Sequence, residues 1–124
     1  MKTLAGIWYS ERGSRLEIGV TDAGRIEGSY TRPHGKSAGD FRLVGMIDPA
    51  QSDGNRCLAF VVMWNNPQLN QHSISTWCGQ HHATDEGEFL DMTWLLTEEV
   101  AVDDDWKSTR IGKDIFRRQH SPTS

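Results

Sequence analysis

Cysteine is nearly absent: the 124 residues hold two, Cys57 and Cys78, too few for a disulfide framework to replace a hydrophobic core. Proline is scarce as well, at four. No stretch approaches the roughly 18 consecutive apolar residues of a membrane-spanning helix, so no membrane partner is expected. Net charge is −4, and the lysines and arginines are scattered along the chain. A nucleic-acid partner needs clustered phosphate contacts and is therefore not expected. Catalytic signatures are missing too. Asp114 with His72, or Ser75 with a histidine, makes a hydrolase only on paper, without a nucleophile motif, so the chain reads as a non-enzyme. Cys57 with Cys78-Gly79-Gln80-His81-His82 is a poor metal site, because consecutive strand residues point to opposite faces. Met1-Lys2-Thr3 runs almost directly into the first apolar segment, and no leader peptide is read there.

What is present is glycine, 12 residues of it, and short alternating segments. Strands are expected at about 5–11, 14–21, 25–32, 39–47, 56–64, 72–82, 87–97 and 109–118. Turn signals separate them: Arg12-Gly13, Asp22-Ala23-Gly24, Pro33-His34-Gly35, Asp53-Gly54-Asn55, Asn65-Asn66-Pro67 and Glu86-Gly87. With no convincing helix between strands, the fold class is all-β. An eight-stranded antiparallel up-and-down β-barrel removes the exposed edges. The length suits one domain over residues 1–118, with 119–124 as a flexible tail.

The chain is organised around Phe60 to Gln80, two strands joined by a polar turn. Alternation puts Phe60, Val62 and Trp64 on one side, and Ser73, Ser75 and Trp77 together on the return strand. Trp94 is in phase with Met92 and Leu96. Flat apolar walls with hydroxyls between them suit a small amphipathic ligand; periodicity alone fits a tryptophan-rich core equally well. Continuing strand by strand, Trp8, Leu16, Ile18, Ile26, Tyr30, Leu43, Asp114 and Phe116 face inward. The opposite face is wet on the first three strands. On the later ones it carries Val44, Met46, Val61, Met63, Ile74, Leu95, Ile111 and Ile115, a pattern that favours a contact between copies.

The segments GIWYSERGS from Gly6, GSY from Gly28, HSISTWCGQ from His72, TWLLT from Thr93 and WKSTRIGKDIF from Trp106 resemble the avidin and streptavidin family of biotin-binding proteins, in order and spacing, over nearly the whole chain. The resemblance implies a barrel that binds biotin at one open end, usually as a homotetramer, with no cofactor. It also suggests a secreted or periplasmic protein.

Residue by residue, Ser14 and Tyr30 match the hydroxyls that donate to the ureido oxygen. Ser10 stands where the family usually has Asn, as a shorter third donor. Asp114 matches the acceptor for a ureido N–H, Ser75 the hydroxyl near the thioether, and Ser73 the serine that holds the valerate carboxylate. Trp64, Trp77 and Trp94 match the aromatic walls and Leu96 an apolar neighbour. Trp106, after Asp103-Asp104-Asp105, matches the tryptophan that caps the site of an adjacent subunit. Lys113 lies near a two-fold contact, where matched lysines would repel.

Two substitutions depart from the pattern. Arg32 stands where Ser or Thr accepts the second ureido N–H, and a guanidinium has no acceptor lone pair. It either pairs with Asp114 or swings into the loop. Arg12 replaces an apolar position at the edge. In the loop Pro33 to Ser37, which closes over biotin in the family, the Lys36 backbone is a candidate carboxylate donor. The expectation is biotin binding weaker than the family's best. The alternative is an avidin-like barrel for a different small ligand, or an oligomeric module with a vestigial site. If Trp64 faces Gln71, Cys57 falls opposite Cys78, allowing a cross-strand disulfide; two reduced thiols at an interface fit as well.

Overall fold

A computed structural model of the chain describes residues 4–32, 39–49, 55–65 and 72–118. Eight strands follow one another: β1 (Gly6–Ser10), β2 (Arg15–Val20), β3 (Arg25–Arg32), β4 (Gly39–Ile47), β5 (Asn55–Met63), β6 (Ser73–Thr84), β7 (Gly87–Glu98) and β8 (Thr109–Arg117). Each pairs antiparallel with the next, and β1 pairs with β8 to close the barrel. The expected all-β, eight-stranded, up-and-down barrel is what forms, and strand bounds agree to within two residues.

The alternation that predicts the strands also sorts their faces. On β2, Leu16 and Ile18 are buried while Glu17 is exposed. On β3, Ile26 and Tyr30 are buried, and Arg25 and Glu27 pair outside at 2.9 Å. The inner faces meet in one core in which Trp8, Leu16, Ile26, Leu43, Leu90 and Phe116 are fully buried. Burying each such side chain stabilises the fold by about 1.5–3 kcal/mol. At the β2–β3 turn Gly24 has φ 87°, and a Cβ there would strike the Ile47 carbonyl oxygen. The turn therefore needs glycine for both space and backbone angle.

One end of the barrel is plugged. The Arg118 guanidinium lies 3.7 Å from the Trp8 ring centroid and donates to Glu88 Oε1 at 2.7 Å and to the Ala5 carbonyl at 3.0 Å. Buried His81 meets Glu88 Oε2 at 2.8 Å. Burial opposes ionisation of Glu88, but the hydrogen bonds from Arg118 and His81 outweigh it and hold the carboxyl below its usual range. These groups cross-link β6, β7 and the chain ends that flank the short β1–β8 seam.

Two expectations are corrected. A short 3-10 helix, Val102–Lys107, occupies the β7–β8 connection. In the β5–β6 register Cys57 faces Gln80 and Cys78 faces Ala59. The cysteines are thus diagonal neighbours, and both are free and exposed. A diagonal pair of Cα atoms sits about 7–8 Å apart, outside the usual reach of a disulfide. The tail at 119–124 lies outside the described residues.

Candidate functional site

In an up-and-down barrel the C-terminal ends of odd strands and the N-terminal ends of even strands gather at one end. Here that end is opposite the Arg118 plug and opens into a cavity of about 260 Å³. Its aromatic walls are Trp64, Trp77 and Trp94, with Leu96 beside them. Ser10, Ser14, Tyr30, Ser75 and Asp114 supply the polar groups. Arg12, Arg32 and Arg110 complete the lining.

Aromatic packing fixes the walls. Trp77 stacks on Phe60 with centroids 5.1 Å apart and packs against Tyr30 at 5.0 Å. Trp64 meets Tyr30 edge-on at 5.3 Å and Phe41 at 4.8 Å. Trp94 lies against Gly112, its register partner on β8; a Cβ at Gly112 would collide with the indole. Glycine is there to give the ring room.

Two of the three wall indoles also orient a polar group. Trp64 Nε1 donates to Ser75 Oγ at 2.6 Å, leaving the serine hydroxyl proton to donate elsewhere. Trp77 Nε1 donates to Asp114 Oδ2 at 3.0 Å. Burial pushes the Asp114 pKa above the usual aspartate value, against the Trp77 hydrogen bond and the nearby Arg12 charge. Burial likewise raises Tyr30, against its hydrogen bond with Ser14. Tyr30 consequently presents a neutral hydroxyl, able to donate. Ser10 Oγ accepts the Ser14 backbone N–H at 3.0 Å, a bond that closes the β1–β2 turn and keeps its own hydroxyl proton available.

A larger surface depression, about 350 Å³, lies on the outer rim between β5, β6 and β7 and is lined by Met63, His72, Ser73, Ile74 and Glu98 among others. No tryptophan or tyrosine lines it, whereas three indoles and Tyr30 enclose the smaller cavity, so the smaller cavity is the better-built site.

Of the residues expected from sequence, Ser10, Ser14, Tyr30, Arg32, Trp64, Ser75, Trp77, Trp94, Leu96 and Asp114 meet in one cavity. Ser73 does not line it and borders the rim depression instead. Lys36 lies outside the described residues. Trp106 is 81% exposed on the 3-10 helix, away from its own chain's cavity. Arg32 neither pairs with Asp114 nor swings away: its guanidinium carbon sits over the Trp64 ring, 4.9 Å from the centroid. Arg110 is absent from the sequence-based set, although it is in phase with Gly112 and Asp114 on β8. That phase was the signal available to find it.

A model of the avidin family matches residues 1–119. The chain belongs to the avidin family. Among curated relatives, chicken (Gallus gallus) avidin-related protein 2 is 32% identical over 125 residues, covering 96% of this chain and 79% of the relative. Avidin-related protein 7 of the same species has the same identity and coverage. Avidin itself, also from chicken, is 30% identical over 122 residues, covering 94% of this chain and 78% of its own length. The closed antiparallel barrel with its polar and aromatic open end is thus an avidin-family barrel.

Proposed function

We propose that the protein binds biotin non-covalently at the open end of the barrel, one molecule per chain, and catalyses no reaction. The observation that carries this is the convergence, inside an aromatic-walled cavity, of neutral hydroxyl donors at Tyr30 and Ser14 with a carboxylate acceptor at Asp114. A cyclic urea needs that arrangement: its carbonyl accepts from the hydroxyls and one N–H donates to the carboxylate. Ser10 is the third donor. The Ser75 hydroxyl, held by Trp64, faces the thioether, and the indoles of Trp64, Trp77 and Trp94 with Leu96 cover the apolar ring and chain.

Affinity falls short of a fully matched site. Arg32 offers no acceptor for the second ring N–H, and Ser10 is shorter than the usual asparagine. An unmade buried hydrogen bond costs about 1–3 kcal/mol.

The assembly that supports this reading is a homotetramer. Met46 and Ile111 are each 70% exposed, with Met63 and Leu95 on the same outer surface, and exposed Trp106 caps the site of a neighbouring subunit. Lys113 is no obstacle, because its ammonium lies 2.9 Å from Asp91 in its own chain, which offsets its charge.

Calorimetric titration with biotin, with tryptophan emission followed in parallel and mass fixed by light scattering, tests the reading. Saturable heat near one biotin per chain supports it. No heat and no emission change at high micromolar biotin overturns it.

A further inference from the structure

Three separate elements bring arginine to the open end: the β1–β2 turn carries Arg12, the last residue of β3 is Arg32, and the second residue of β8 is Arg110. Asp114 is the one carboxylate among the lining residues; Arg110 stands four residues before it on β8, about 13 Å away along the strand, while Arg12 is near enough for its charge to act on Asp114. The cavity therefore sets three guanidinia against a single carboxylate, an excess of positive charge.

These guanidinia are not consumed by strong ion pairs. Arg32 rests over the Trp64 ring, its guanidinium carbon 4.9 Å from the centroid. Arg110 approaches Glu98 only to 3.8 Å, with both side chains largely exposed, beyond hydrogen-bond distance. Arg12 acts on Asp114 through space, as Glu11 does with opposite sign. Arg12 and Arg32 both exert a field at Tyr30. Among the described residues no carboxylate bonds Arg12 or Arg32.

We propose that Arg12, Arg32 and Arg110 form an anion-selecting collar, so that the protein takes the free carboxylic acid form of its ligand in preference to esters and amides of the same molecule. This rests on the biotin reading for the ring end, and on the three arginines for the tail. A barrel walled by indoles alone grips an apolar chain whatever terminates it. The collar instead adds a charge-assisted term that only an ionised tail collects. The protein would discriminate free biotin from biotin already joined through an amide.

The test compares biotin with biotin primary amide and biotin methyl ester by calorimetry at 20 mM and 1 M salt, in the unsubstituted protein and in Arg12→Gln, Arg32→Gln, Arg110→Gln and the triple variant. Arg15→Gln, on the outer face, is the control. A partly exposed charge contact changes affinity about two- to fivefold. The acid should therefore bind about tenfold tighter than the amide at low salt. That ratio should fall toward one in the triple variant and in 1 M salt, and stay put in Arg15→Gln. Equal binding of acid and amide, or a ratio unchanged in the triple variant, overturns the proposal. If neither biotin ligand binds, 5-phenylpentanoate against 5-phenylpentanamide decides: preference for the acid sustains the collar while the biotin reading fails, and no preference overturns the collar too.

Discussion

Removing the Asp114 carboxylate perturbs the ligand and the wall together. In Asp114→Ala the ring N–H of biotin loses a charged acceptor, worth about 1.5–3 kcal/mol, which weakens binding about 12- to 150-fold. The same change orphans Trp77 Nε1, which donates to Asp114 at 3.0 Å in a nearly buried indole; an unsatisfied buried donor costs about 1–3 kcal/mol of stability. Asp114→Asn keeps a carbonyl acceptor without the charge and should fall between the two. The raised pKa adds a pH signature. Protonation of Asp114 removes the charge and leaves a weaker acceptor, so biotin affinity should decline on acidification at a higher pH than an ordinary aspartate would give. With biotin primary amide, whose tail does not titrate, that decline should vanish in Asp114→Asn. Calorimetric affinities across pH, with melting temperatures for each variant, make the comparison. Unchanged biotin affinity in a folded Asp114→Ala protein would refute the assigned role.

Three further outcomes are expected. Gly112→Val drives a side chain into the Trp94 indole; the ring should turn outward, with red-shifted emission and biotin affinity lowered by about 1–3 kcal/mol, and an unchanged affinity would show that Trp94 is not a wall. Glu88 has a lowered folded pKa, so its stabilising contribution is full above the ordinary carboxylate range and is lost as pH falls through the lowered value. Melting temperature against pH should show Glu88→Gln well below the unsubstituted protein at neutrality and close to it in acid, whereas parallel curves would contradict the plug. Leu95→Lys with Ile111→Lys, both on the exposed outer face, should reduce the mass seen by light scattering while the barrel's circular dichroism persists; an unchanged mass would move the subunit contact elsewhere.

The fold was legible because period-two alternation fixes which face each residue takes. Trp8, Leu16, Tyr30, Trp77 and Phe116 all point inward as the pattern requires. Alternation does not fix which residues stand opposite each other. A shift of two preserves every face and changes every partner, so setting Trp64 against Gln71 gave the right faces and the wrong neighbours for Cys57 and Cys78. The 3-10 helix was invisible because VDDDWK has no apolar period. At the site, residue identity located most of the side chains that line the cavity. The resting place of Arg32 depends on Trp64, a partner on a different strand, and Ser73, the first residue of β6, borders the rim depression instead.

The central claim is that the cavity's hydroxyls and Asp114 hold a cyclic urea. The most direct test is a crystal structure of the protein grown with biotin. The account predicts the ureido oxygen within hydrogen-bond distance of the Tyr30 and Ser14 hydroxyls, one ring nitrogen facing Asp114, and the carboxylate near Arg12, Arg32 and Arg110. Biotin in the rim depression beside Ser73, or reversed with its carboxylate at Asp114, would contradict it.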